Sequence, residues 1–157
     1  MAESEHKRVT LIIVTPYMNF FEEKVDSVVI PSLSGEIGIM AGHSPLVVAL
    51  SPGICSIRTD SDVRHCVLSE GYAEIGQYLC LVICNAAEWP EDLDVSQALE
   101  SYQHAKLSLQ KHHEVNRDKY DIEVALQRAK ARLHTIELYG SSAQRDSLSD
   151  DREMYGY

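Results

Sequence analysis

The sequence predicts an α+β chain: an N-terminal antiparallel β-sandwich or flattened barrel, followed by a C-terminal antiparallel two-helix hairpin. Two observations predict it. Short runs rich in β-branched residues, each closed by Pro, Gly, Asp or Ser, crowd the first half of the chain. After Trp89-Pro90 the apolar residues change to a 3-and-4 spacing. Many short strands at close spacing stack as sandwiches or barrels rather than as βαβ units.

The predicted strands cover residues 9–14, 24–30, 45–50, 53–59, 63–69, 72–76 and 78–84. Turn chemistry separates them at Thr15-Pro16, Pro31-Ser32, Ser51-Pro52-Gly53, Thr59-Asp60-Ser61-Asp62, Glu70-Gly71 and Gly76-Gln77. The stretch GEIGIMAGHSPL, residues 35–46, is predicted as a protruding loop. Its glycines, Gly35, Gly38 and Gly42, would supply positive φ and tight bends. The first helix starts near Asp94, with Asp92 or Asp94 as its cap. It lines up Val95, Ala98, Leu99, Tyr102, Ala105 and Leu109 on one face. A polar break over 111–119 leads into a second helix over about 119–139 with Asp118 as candidate cap. That helix carries the stripe Ile122, Ala125, Leu126, Ala129, Leu133 and Ile136, and Gly140 ends it. Each helix is ~27–30 Å long, and the short connection makes the pair an antiparallel hairpin. The stripe is rich in alanine, so it buries little area. At about 25 cal/mol per Å2 an isolated pair is marginal against its ordering entropy, and the hairpin needs a third surface. That surface is the sandwich, a partner, or each in turn. The domains are therefore 8–90 and 91–140, with 141–157, polar and acidic, read as a disordered tail.

Composition narrows the partners. The net charge is −10 at pH 7 and 45% of the residues are apolar. Nucleic-acid binding needs clustered Lys and Arg to displace counterions, and adhesion to anionic lipid needs the same, so neither is expected. The first residues, MAESEHKRVT, are polar, and no run approaches the roughly 18 apolar residues of a spanning helix. The expectation is a cytosolic chain. Cys55, Cys66, Cys80 and Cys84 lie in apolar, strand-like runs without a CxxC pair, so they read as reduced, buried hydrophobes rather than zinc ligands. Cys80 and Cys84 fall on the same side of a strand.

The chemical motifs are sparse. Glu36 and His43, with Ser44 following, offer an acid–base pair beside a hydroxyl. No GxSxG elbow, HExxH, GxxxxGK[ST] or GxGxxG accompanies them. His112 and His113 are adjacent, so on a helix they would face different ways. No catalytic or metal residue is therefore assigned. Glu36 and His43 read instead as polar marks on a loop whose apolar body, Ile37, Ile39 and Met40, presses on another protein. Arg128 and Arg132 share a helix face at i and i+4. They form a solvated salt-bridge rung, or a pair that grips phosphate or a carboxylate-rich partner. Three functions stay open on these residues. They are a subunit of a larger assembly, a stand-alone sandwich module whose helical arm recognises a peptide or small ligand, and a hydrolase built on Glu36, His43 and Ser44.

The segments VTP, FFEEKVDSVVIP, GEIGIMAGHSPLVVALSPG, LSEGYAEI, AAEWPEDLD and ALQRAKARL occur in this order over about residues 9–140. In that order the chain resembles the epsilon subunit of bacterial F-type ATP synthase. Ala41 stands where that family commonly carries proline, which makes the block less stiff. The resemblance implies a non-catalytic central-stalk subunit that couples proton translocation to ATP synthesis. Its implied partners are the gamma subunit and the polar loops of the c-ring, with the alpha and beta subunits added when the hairpin extends and inhibits ATP hydrolysis. No nucleic acid is implied. Attachment to the cytoplasmic face of the bacterial inner membrane would be peripheral, through the complex. Glu36, Ile37, Gly38, Ile39, Met40, Gly42 and His43 become the c-ring and gamma contact. Some family members bind ATP through a DxxRA motif and arginines on the second helix. Glu88, Asp94, Arg128 and Arg132 match, as a weak nucleotide or carboxylate contact. Gln97 replaces the motif's arginine and His104 a later basic residue, so no cofactor is assigned and ATP binding is expected to be weak or absent.

Overall fold

The computed structural model describes residues 7–111 and 117–157. His6, the His112-His113 pair and the middle of the polar break lie outside the described residues. The chain divides into two compact units, Met1–Ala87 and Glu88–Tyr157.

The first unit is built from strands β1 (Val9–Val14), β2 (Asn19–Val25), β3 (Ser27–Ser32), β4 (Gly35–Met40), β5 (Leu46–Leu50), β6 (Gly53–Thr59), β7 (Asp62–Leu68), β8 (Gly71–Ile75) and β9 (Leu79–Cys84); β10 (Ala87–Glu88) ends it. The strand order is β10-β7-β6-β3-β5-β8-β9-β1-β2, with β4 paired to β3. One edge of β3 carries β4 along its whole length. Its other edge pairs with β6 through residues 27–29 and with β5 at Ser32, so β3 takes the sheet round a corner. Inward residues alternate as a half-buried sheet requires: Val9, Leu11 and Ile13 of β1 are fully buried, as are Val28 and Ile30 of β3 and Cys80 and Val82 of β9.

Within this unit the structure corrects three expectations. The strand read over 24–30 is two strands, because the chain breaks at Asp26, whose N–H donates to the Arg58 carbonyl and whose carboxylate pairs with Arg8. The sheet is not wholly antiparallel, since β1 and β9 run parallel over five residue pairs, Thr10 opposite Leu79 through Val14 opposite Ile83. Residues 35–40, read as loop, are strand β4, hydrogen-bonded to β3 from Gly35 opposite Ser32 to Met40 opposite Ser27.

All four cysteines are free and buried, and Cys55 faces Cys66 directly across β6–β7. Its side-chain hydrogen bond with Cys66, then burial, pushes the Cys55 thiol well above its ordinary range. Burial alone pushes Cys80 up to about 12, and burial first among several causes does the same for Cys84.

The second unit holds a 3-10 turn (Pro90–Asp92) and helices α1 (Val95–Lys111), α2 (Arg117–Tyr139) and α3 (Ser142–Asp151). Asp94, not Asp92, caps α1: its Oδ1 accepts from the Gln97 N–H at 2.8 Å. Val95, Ala98, Leu99, Tyr102 and Ala105 are buried as their spacing predicts, and Leu109 is half-buried. On α2 the buried stripe is Ala129, Leu133 and Ile136, joined by Ala131 and Thr135. Ile122, Ala125 and Leu126 are only half-buried. Thr135 satisfies its hydroxyl inside the helix, on the Ala131 carbonyl at 2.7 Å. Gly140 ends α2 for a different reason than a left-handed cap. A Cβ there would lie 2.6 Å from the Ile136 carbonyl oxygen, and its φ is not positive. The tail read as disordered is helical. Ser141 and Gln144 close a reciprocal capping box that starts α3, and Leu148 is buried.

Candidate docking face and helical cleft

Strand β4 distributes the glycine-block residues by its period of two. Glu36, Gly38 and Met40 point outward, Ile37 is half-buried, and Ile39 is fully buried opposite Val28 in the core. Ile39 therefore belongs to the core. The two turn glycines have the expected backbone: φ is +115° at Gly35 and +89° at Gly42. Gly38 does not. It sits in extended strand, and a Cβ there would meet nothing within 4 Å. Ser32 Oγ donates to the Gly35 carbonyl and fixes the β3–β4 turn, while the Gly42 N–H donates to the Gln77 carbonyl at 2.6 Å.

Glu36 and His43 are not brought together. Glu36 pairs with Pro31 beside the β3–β4 turn, and His43 follows the far end of β4. At about 3.4 Å per residue, the strand alone separates Glu36 from Met40 by ~13 Å. His43 Nδ1 donates to the Ser44 carbonyl at 2.7 Å, so that nitrogen does not activate the Ser44 hydroxyl. The hydrolase alternative therefore lacks its machinery.

The exposed apolar residues include Met40 of this block, which the sequence assigns to the contact, and others that the sequence pattern marks only as strand. Val47 is 68% exposed and Met40 64%, with Leu46 and Tyr72 each 43% exposed. Across β5–β8, Val47 opposes Glu74 and Ala49 opposes Tyr72, all on the outer face. A signal for this was present: LVVAL is apolar at both parities in a strand whose partner, YAEI, keeps only Ala73 and Ile75 inside. An unbroken apolar run in an antiparallel strand marks a second covered face.

In the second unit a cleft of about 560 Å3 lies between α1 and α2. Arg128 and Arg132 line it together, facing Ser101, His104 and Ser108, with Glu100 and Asp121 also on its wall. Arg132 Nε donates to Glu88 Oε2 at 2.6 Å. Asp94 is absent from this lining and is occupied as the α1 cap. Three of the four matched residues thus meet, and the fourth serves the helix. The donor set fits a polyphosphate poorly. Its two guanidiniums are balanced by two carboxylates, and one guanidinium is already held by a third.

A sandwich with apolar residues on its outer face, followed in the chain by a helical hairpin, is the two-domain class to which the structure assigns this protein. The beta-sandwich domain model of the ATP synthase Delta/Epsilon chain matches residues 8–90, and the long alpha-helix domain model matches residues 91–137. The chain belongs to the ATP synthase delta/epsilon family. It is 35% identical to the ATP synthase epsilon chain of Caldicellulosiruptor saccharolyticus, over 87% of this chain and 96% of that one. It is 30% identical to the chloroplastic ATP synthase epsilon chain of Euglena gracilis, over 80% of this chain and 94% of that one. A chain in the Euglena gracilis mitochondrial ATP synthase structure, OSCP/F1/c-ring, shares the fold with a TM-score of 0.68 at 20% identity, covering 82% of this chain and 80% of that one.

Proposed function

We propose that this chain is the epsilon-type subunit of the central stalk of a rotary F-type ATP synthase. It makes and breaks no bond itself. Its sandwich docks on the gamma subunit and on the polar loops of the c-ring. Its hairpin, when extended toward the alpha and beta subunits, holds back ATP hydrolysis. The observation that carries this proposal is the continuous family match, sandwich first and helices second, over residues 8–137. The outward Met40, Val47 and Tyr72 and the exposed Leu46 support a protein partner for the sandwich, and the net charge of −10 disfavours lipid or nucleic acid as that partner. Among the described residues no helix is long and apolar enough to cross a membrane. In this proposal membrane attachment is to the cytoplasmic face of the bacterial inner membrane, peripheral and through the complex.

Adding the chain to a reconstituted alpha–beta–gamma head is expected to lower ATP hydrolysis, and a truncation after Glu91 to restore it several-fold. A full-length chain that leaves hydrolysis unchanged and purifies as a free monomer would favour the stand-alone binding module instead.

The cleft leads to a second expectation. Titration with labelled ATP should give a dissociation constant weaker than the low micromolar range. Gln97→Arg should tighten it by about one decade or more, since a charge-assisted contact contributes on the order of 1.5–3 kcal/mol. Low-micromolar binding by the unaltered chain would overturn this.

A further inference from the structure

We propose that residues 141–157 are a clasp that holds the α1–α2 hairpin closed. The matched helical-domain model stops at residue 137, so this segment lies outside the family match. Gln144, Arg152, Gly156 and Tyr157 bind partners within the second unit, and together they touch both long helices and the turn before them.

The clasp begins with a single glutamine that does two jobs. Gln144 Oε1 accepts from the Ser141 N–H at 2.8 Å, completing the capping box that starts α3. Its Nε2 donates outward to the Pro90 carbonyl at 2.9 Å and the Leu93 carbonyl at 2.8 Å, just before α1. Leu148 is 2% exposed and anchors the middle of α3. The far end then bridges the helices. The Tyr157 ring meets Tyr102 of α1 edge-on, with centroids 5.2 Å apart and planes at 81°. Arg152 reaches Glu137 of α2 at 3.6 Å while lying over the Tyr157 ring. Lys106 of α1 donates to the Gly156 carbonyl at 2.6 Å. Of the ten buried residues on α1 and α2, four are alanines, Ala98, Ala105, Ala129 and Ala131, which bury little area, so contacts of modest individual size matter. If α1 and α2 part, the stacked Tyr157 and Arg152 cannot keep both Tyr102 and Glu137.

Amide hydrogen exchange on the full chain tests the clasp. In Gln144→Ala/Tyr157→Ala the amides of α1 are expected to exchange about ten-fold faster or more, while β1 and β9 keep their protection. Arg152→Gln, which keeps the Tyr157 ring on Tyr102 and loses the ion pair to Glu137, should fall between. Unchanged α1 protection in the double variant, with α3 amides exchanging freely, would show that the segment is a passenger and overturn the clasp. The consequence for activity rests on the proposed extension of the hairpin. In the assembled complex the double variant should inhibit hydrolysis more strongly than the parent. Faster α1 exchange without a change in inhibition leaves the clasp standing and counts against the extension. Unchanged exchange removes the clasp whatever the hydrolysis rate.

Discussion

Replacing Gly71 by alanine is expected to lower the stability of the sandwich by ~3 kcal/mol or more, a fall in midpoint of ~15 °C for a unit of this size. Gly71 opens β8 directly opposite Cys84 of β9. A Cβ at that position would lie 2.0 Å from the Ile83 carbonyl oxygen and 2.7 Å from the Cys84 Cα. Both atoms are backbone, so no side chain can rotate away. The β8–β9 ladder would have to separate where it holds Val82 and Cys84 in the core. Gly38→Ala supplies the contrast. Nothing lies within 4 Å of the place its methyl would take, and its backbone is extended. Removing glycine from a strand interior should leave stability within about 0.5 kcal/mol or raise it slightly. Thermal and urea unfolding followed by circular dichroism separates the two. A Gly71→Ala midpoint equal to that of the parent would mean the ladder gives way easily, and the close approach would carry no weight.

The same pair of glycines shows what could be read from the sequence and what could not. Segments with a clean apolar period were legible. Residues 9–14 and 53–59 are strands at the predicted bounds, and α1 buries five of its six predicted positions. Segments whose structure is set by distant partners were not. In β2, NFFEEKV, exposed Glu23 interrupts the alternation between buried Phe21 and Val25, so an edge strand reads as polar chain. In β4, glycines at 35 and 38 masked a strand that β3 organises through hydrogen bonds. The parallel β1–β9 pairing joins residues about seventy positions apart, beyond any local signal. Helix α3 buries one leucine and so has no stripe. Its legible mark was the Ser141-to-Gln144 capping pattern, which the acidic composition overshadowed. At the site, the i and i+4 spacing placed Arg128 and Arg132 on one wall correctly. The parity of β4 was not visible while that segment read as loop, so Ile39 was assigned to the surface.

The buried thiols should make the sandwich sensitive to alkali. Cys80 is fully buried and Cys84 is 3% exposed. Each thiol is pushed up to about 12 from an ordinary value of 9.0. Between those two values the unfolded chain releases the protons while the folded chain keeps them. The unfolded state then binds fewer protons, so stability falls as pH rises through this window and is fully present below it. At 1.36 kcal/mol per unit, raising the pH from 8 to 10.5 removes about 2 kcal/mol per thiol, or ~4 kcal/mol for the pair. Cys55, raised by its hydrogen bond with Cys66 and by burial, adds to the loss in the same direction. Tyrosines and lysines also titrate in this range, so the decisive quantity is a difference. Cys80→Ala/Cys84→Ala should be less stable than the parent at pH 8, because two core side chains are shortened. It should nevertheless lose less on going to pH 10.5, by about 4 kcal/mol in urea titrations at the two values. Equal losses in parent and variant would mean that these thiols ionise in the folded core as easily as in water, and that the close packing around β9 does not keep solvent from them.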